Sequence, residues 1–289
     1  MKPAAFEYCR PDTLEEALAV LTEFADDAVI MAGGLSLGTL LNTRLARPDA
    51  VIDINQISDL DRIELRGGML QTGPLVRQAE ALNSTQISAT LPLLAAALPN
   101  VGHYQTRDRG TLAGSVAHAD PSAEIPLCLA MLGGEVELSS SRGQRLVGAG
   151  EFVQGALETA READEMLTGL LWPGVSGPAG VAFIEVSERQ GDFAIAAAAA
   201  QVRRDGDTYH YTLGLGGIED HARLDTGSAS LSPSEFGEIS GQAADGLARQ
   251  LEPMQDRRAS AAYRRHLASH LGAQALEQAF KQASMEDSS

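Results

Sequence analysis

Cysteine occurs only twice in the 289 residues, at positions 9 and 128. Two distant thiols are too few for an iron–sulfur cluster and poorly suited to zinc, so both read as reduced, buried or half-buried side chains. No histidine–carboxylate spacing repeats and no HExxH-type helix occurs, so no metal site is expected; His103 and His118 read as polar loop residues. Aromatic residues make up 4% of the chain against 44% hydrophobic, which leaves Ala, Leu, Val and Ile to build the cores. So few rings provide no stacking surface for nucleic acid. Basic residues are also short, 22 against 39 acids, and the net charge of −17 repels a phosphate backbone at long range. Nucleic acid is therefore not an expected partner. No apolar run approaches the roughly 20 residues that span a bilayer, and residues 1–7 carry no signal-type pattern, so a cytoplasmic protein without a membrane span is expected. No internal repeat is visible.

What is present divides into three stretches. Within the first 56 residues, strands around 6–10, 29–31 and 51–54 alternate with helices, the first capped at Asp12 or Thr13 with Leu14, Ala17, Leu18 and Leu21 on one face. That order predicts a small parallel α/β unit. From 57 to 175 the pattern changes to a hairpin turning at Gly67-Gly68, a helix over 75–82, further apolar helical runs, and strands at 135–138 and 166–172. A Gly/Pro/Ser-rich linker spans 173–180. Beyond it, over 176–289, come three strand-like runs at 181–186, 193–202 and 208–215. From Ser234 the text is helical and ends in an acidic, frayed tail. The alanine tract at 196–200 reads as a buried strand because turns flank it on both sides.

The chain centres on Val29-Ile30-Met31-Ala32-Gly33-Gly34-Leu35-Ser36-Leu37-Gly38, a strand, a glycine turn and a helix start. Such a turn aims unpaired N–H groups and the positive end of a helix dipole at one point, a cradle for phosphate. The same letters spell Gly34-x-Ser36-x-Gly38, the spacing of a hydrolase nucleophile elbow. Ser36 would then need a later acid and histidine, such as Asp120 with His210 or His266, and too few strands precede it. A second small-residue bend at Thr111-Leu112-Ala113-Gly114-Ser115, with hydroxyls as further donors, favours the phosphate reading. Two cradles suggest one dinucleotide, and no G-x-G-x-x-G supports a Rossmann site.

Ala32-Gly33-Gly34-Leu35-Ser36-Leu37, together with Arg107-Asp108-Arg109-Gly110-Thr111-Leu112-Ala113-Gly114-Ser115-Val116-Ala117-His118-Ala119-Asp120-Pro121-Ser122-Ala123-Glu124, resembles the FAD-binding subunit of molybdenum hydroxylases. The likeness is to the carbon monoxide dehydrogenase medium subunit and the xanthine dehydrogenase FAD domain. It continues through Phe183-x-Glu185-x-x-x-Arg189-x-Gly191-Asp192-Phe193-Ala194, Gly216-Gly217 and the arginine-rich stretch 257–265. The resemblance implies an α+β fold: a two-lobed FAD-binding region, with a small parallel α/β subdomain and an antiparallel α+β one, then a C-terminal three-stranded sheet with helices. It implies that residues 32–37 and 111–115 hold the FAD diphosphate, that His118, Asp120, Glu124 and Glu185 belong to the site, and that the Leu167 backbone meets the flavin. Phe193 matches an aromatic near the isoalloxazine in some relatives. A lysine often found after the Phe183 aromatic is absent, since Ile184 and Glu185 stand there, which alters the flavin's charge environment. The implied partners are a large molybdopterin-containing subunit and a small iron–sulfur subunit, in a dimer of heterotrimers, with electrons passing through FAD to an external acceptor. A stand-alone flavin oxidoreductase resembling UDP-N-acetylenolpyruvoylglucosamine reductase is the alternative.

Overall fold

The structure, a computed structural model, describes residues 2–174 and 179–285. Residues 175–178 of the linker and the tail at 286–289 lie outside the described residues.

The first layer is strand β1 (Glu7–Cys9), helix α1 (Leu14–Phe24), β2 (Ala28–Met31), α2 (Leu35–Thr43) and β3 (Ala50–Asp53), whose strands pair in parallel in the order β1-β3-β2. The Thr13 hydroxyl caps α1 by accepting from the Glu16 amide at 3.2 Å. Ala17, Leu18 and Leu21 then pack with Ala28, Ala50, Ile52 and Ile54 in a small core.

The second layer is a five-stranded antiparallel sheet. β4 (Ile63–Arg66) and β5 (Met69–Thr72) form the expected hairpin, with Gly67 and Gly68 both at positive φ, as a two-residue primed turn requires. Five short helices follow in pairs and bends: α3 (Gln78–Asn83), α4 (Thr85–Thr90), α5 (Pro92–Ala97), α6 (Tyr104–Arg109) and α7 (Leu112–His118), then α8 (Glu124–Met131). β6 (Glu135–Ser140) and β7 (Gly143–Gly148) follow, then α9 (Ala149–Phe152), the small pair β8 (Val153–Gly155) and β9 (Glu158–Thr159), and β10 (Met166–Pro173) at the centre of the order β4-β5-β10-β6-β7. The helix read over 75–82 starts only at Gln78. The backbone before it is engaged elsewhere: Leu75 donates to the Leu60 carbonyl, Val76 to Gly73, and Arg77 forms a β-bridge with Thr111.

The third layer is an antiparallel sheet of β11 (Ala179–Val186), β12 (Ala196–Asp205), β13 (Thr208–Gly216) and β14 (Arg223–Ser230), in sequence order, covered by α10 (Phe236–Gln250) and α11 (Ala261–Met285). The alanine tract is a strand, as its flanks predicted. Ala197 and Ala199 join the core that holds α5 and α8, while Ala196, Ala198 and Ala200 join the one under α10 and α11. That alternation is the period of a pleated strand buried on both faces. The sheet has four strands rather than three. β14 carries no sequence signal because its Asp, Thr, Gly, Ser and Ala residues lack a large apolar side chain, although their burial alternates residue by residue.

Candidate functional site: a cavity closed by two glycine turns

A cavity of about 470 Å³ lies where the three layers meet, within the usual range for a small-molecule site. Its walls mix glycine, alanine, serine and threonine with the apolar side chains of Ile30, Leu40, Ile54 and Met166. The turn after β2 supplies one side. Gly34 adopts φ 72°, a left-handed conformation that releases the chain into α2, and no side chain caps that helix. The first intrahelical bond runs from the Gly38 amide to the Gly34 carbonyl at 2.9 Å. The amides of Leu35, Ser36 and Leu37 therefore have no acceptor within their helix.

The second turn faces the first and is more committed. Thr111 Oγ1 accepts from the Gly114 amide at 2.9 Å, Ser115 N–H donates to the Thr111 carbonyl, and Leu112 N–H donates to Val76. Ala113 keeps a free amide, and the Thr111 and Ser115 hydroxyls can still donate. The two turns touch: a Cβ placed on Gly33 would lie 2.4 Å from the Arg109 carbonyl oxygen.

The remaining walls come from α8, β10 and the loop before β12. Leu167 sits where the β10–β6 register shifts between Leu167 and Gly169, a bulge that frees local backbone from the ladder. Phe193 lines the cavity from a loop and is 55% exposed, and its carbonyl accepts from Arg258 Nη1 at 3.1 Å. Arg161, the only arginine on the described walls, spends one Nη on the carbonyls of Glu162, Ala163 and Glu165.

Of the residues singled out in the sequence, 32–37, Thr111, Ala113, Gly114, Ser115, His118, Asp120, Glu124, Leu167 and Phe193 all line this cavity. Two do not. Leu112 is fully buried in the central core, because its position on α7 points it inward, and Glu185 lies on β11 behind the wall. His210 on β13 and His266 on α11 are exposed and off the cavity, so neither reaches Ser36. No hydrogen bond joins Ser36, His118 and Asp120; Asp120 Oδ1 accepts from the Ser122 amide instead, at 2.8 Å. A nucleophile without a base does not make a hydrolase.

Sequence reasoning missed Asn55, Arg77 and Gln78. Gln78 lines the cavity, its backbone N–H donates to the Gly110 carbonyl at 2.9 Å, and its Nε2 donates to the Thr111 carbonyl at 3.4 Å. These are single polar residues in unremarkable stretches, and only their contacts, 22 to 33 positions away in the chain, mark them.

Two carboxyls stand together in the apolar interior. Burial pushes Glu124 up to about 7, with Asp120 adding to the shift, and Glu185 up to about 8, with Glu124 adding to it. One Glu185 oxygen is buried with no hydrogen-bond partner. Between the ordinary carboxylate value of 4.5 and about 7 the folded chain holds a proton on Glu124 that the unfolded chain has released, so this residue's contribution falls as pH rises through that window. Glu124→Gln is expected to leave the melting temperature at pH 4.5 unchanged and to raise stability at pH 8, by on the order of 3 kcal/mol. Thermal denaturation of the flavin-free chain at both pH values checks this; equal shifts at the two would refute it.

The cavity suits an elongated dinucleotide: amide and hydroxyl donors for a diphosphate on two opposed turns, small residues that admit close approach, and apolar surface at the bulge and Phe193 for a ring system. Among the described residues no cluster of three or more His, Cys, Asp or Glu can hold a metal, and no helix is long and apolar enough to cross a membrane.

Comparison with known proteins agrees with that geometry. Residues 4–174 match the FAD binding domain in molybdopterin dehydrogenase, and residues 181–279 match the CO dehydrogenase flavoprotein C-terminal domain. The caffeine dehydrogenase subunit beta of Pseudomonas sp. (strain CBB1) is 41% identical over 203 residues, 70% of this chain and 69% of that one. The carbon monoxide dehydrogenase medium chain of Hydrogenophaga pseudoflava is 31% identical over 283 residues, 97% and 99% of the two chains. Among solved structures, quinoline 2-oxidoreductase from Pseudomonas putida 86 superposes with a TM-score of 0.89 at 32% identity, covering 98% of this chain and 99% of that one. With both halves of the chain matched and the cavity formed where they meet, the protein belongs to the FAD-binding medium subunits of the molybdenum hydroxylases, and its cofactor is FAD.

Proposed function

We propose that this chain is the electron-transfer subunit of a multi-subunit molybdenum hydroxylase. It receives electrons from iron–sulfur clusters on a small partner and passes them to an external acceptor, while a large molybdopterin-containing subunit oxidises the substrate. In this reading residues 32–37 and 111–115 hold the FAD diphosphate, the Leu167 backbone meets the flavin at the bulge, and Phe193 covers its ring. The bound flavin supplies the redox chemistry, and this chain supplies grip, orientation and shielding from water. The observation that carries the proposal is the pair of glycine turns closing on one cavity, with no histidine or carboxylate hydrogen-bonded to Ser36. Two cysteines cannot hold the clusters, which supports their place on another chain. The assembly we propose is a dimer of heterotrimers in the cytoplasm.

The test is composition. The purified full chain, once denatured, is expected to release one FAD per chain, and the tagged chain recovered from its own cells is expected to bring molybdenum, a pterin and iron–sulfur protein with it. A colourless chain that releases no flavin, or one that binds FAD but recovers neither metal, overturns the proposal.

A further inference from the structure

The two turns are held together by a side chain that belongs to neither. Arg77, half-buried just before α3, donates through Nη1 to the Arg109 carbonyl at 2.6 Å and through Nη2 to Asn55 Oδ1 at 2.5 Å. Asn55 in turn donates through Nδ2 to the Ala32 carbonyl at 2.8 Å and to Asp53 Oδ1 at 2.6 Å, and Asp53 is fixed from its other side by the Tyr8 hydroxyl. Arg77 thus pins the carbonyl preceding Gly110 directly and, through Asn55, the carbonyl preceding Gly33.

Those two oxygens matter because of where they would otherwise point. A carbonyl lone pair facing a diphosphate repels it. In a planar trans peptide, a carbonyl drawn back toward Asn55 turns the Gly33 N–H the opposite way. Gly33 and Gly110 both line the cavity, and Gly33 rests directly on the Arg109 oxygen that Arg77 grips. Lysine carries the same charge as a compact point donor and cannot span two acceptors in fixed geometry.

We infer that Arg77, acting through Asn55, is a positioning residue that sets the spacing and peptide orientation of the two turns, and so governs binding of the diphosphate half of FAD while leaving the flavin-ring half untouched. The inference rests on FAD occupying the cavity.

The experiment uses the full chain stripped of flavin, titrated separately with FAD and with riboflavin, which has the ring and no diphosphate, and followed by flavin fluorescence. Arg77→Gln and Arg77→Lys are each expected to weaken FAD at least tenfold and to change riboflavin affinity less than twofold. Asn55→Ala, which removes the arm to Ala32 and the Nη2 acceptor but keeps the Arg77–Arg109 bond, is expected to show the same selectivity at a smaller size, and carries the test if an Arg77 variant does not fold. Parallel loss of both ligands would show a merely structural residue. Full rescue by Lys would show that charge and not the fork is responsible. Unchanged FAD affinity in the variants would refute the inference while leaving FAD binding itself established; failure of the unsubstituted chain to bind FAD would instead refute the reading of the cavity.

Discussion

Gly33→Ala is expected to yield a folded chain that retains no flavin. The added methyl would stand 2.4 Å from the Arg109 oxygen and 3.1 Å from both the Arg109 carbonyl carbon and the Gly110 Cα, so the three atoms nearest to it are all backbone. None can swing aside as a side-chain tip could. The opposing strand of chain is also fixed, by the Arg77 fork and by the Gly110 amide donating to the Thr106 carbonyl at 2.7 Å. Overpacking of this kind costs about 1–3 kcal/mol of stability, which a domain of this size survives. The effect on binding is larger, because a displacement of about 1 Å takes donors on both turns out of hydrogen-bond range together. We expect FAD affinity to fall at least 100-fold, or about 2.7 kcal/mol. Flavin absorbance of the dialysed protein, read beside its melting curve, checks the result. Gly38→Ala is the control: nothing lies within 4 Å of that position, and alanine favours a helix interior, so it is expected to keep its flavin. A yellow Gly33→Ala protein would mean that the turns separate without consequence.

Arg264→Leu is expected to have the largest effect on stability. The side chain is wholly buried between α11 and the third sheet. It donates to the carbonyls of Ile195 and Gly217, the latter at 2.5 Å, and through Nη2 to Asp256 Oδ2 at 2.8 Å. A buried ion pair can often be exchanged for apolar residues without loss when both partners are replaced. Here two of the acceptors are peptide carbonyls, which no substitution can remove, and both would be left buried and unpaired. At about 1–3 kcal/mol for each stranded carbonyl, the loss expected is about 2–6 kcal/mol. At roughly 2–4 °C per kcal/mol for a chain of this size, that lowers the melting temperature by on the order of 10 °C. Calorimetry that finds a shift of a degree or two would show that water or Asp256 rearranges to satisfy those oxygens. Asp256 also bonds Arg258, which holds the Phe193 carbonyl, so the same substitution loosens the loop at the cavity mouth.

What the sequence revealed and what it hid divide by distance along the chain. The two glycine turns were legible because their chemistry is local: a left-handed glycine, a helix start and a hydroxyl cap lie within a few residues of one another. The alanine tract was legible from its flanking turns, and the hairpin at Gly67-Gly68 from its dipeptide. Residues 75–77 were misread as helix because apolar spacing does not report that Leu75 and Val76 bond backbone elsewhere. β14 gives no hydrophobic alternation, because after Leu224 this edge strand carries only Asp, Thr, Gly, Ser and Ala. Arg77 and Asn55 carry no pattern at all. Their role arises from folding, which brings Arg109, 32 positions on from Arg77, and Ala32, 23 positions before Asn55, to one point.

The placement of the two turns on different layers has a thermodynamic consequence for the assembled protein. One turn is anchored in the parallel sheet and the other among the helices of the antiparallel sheet, so any motion that parts those layers also dismantles the grip. A ligand held by both turns binds the joined form and not the parted one, and by mass action it adds about 2.7 kcal/mol to their union when free FAD is a hundredfold above its dissociation constant. The cofactor is in that sense also a fastener, adding its grip to the Arg77–Asn55 bonds that already join the two turns.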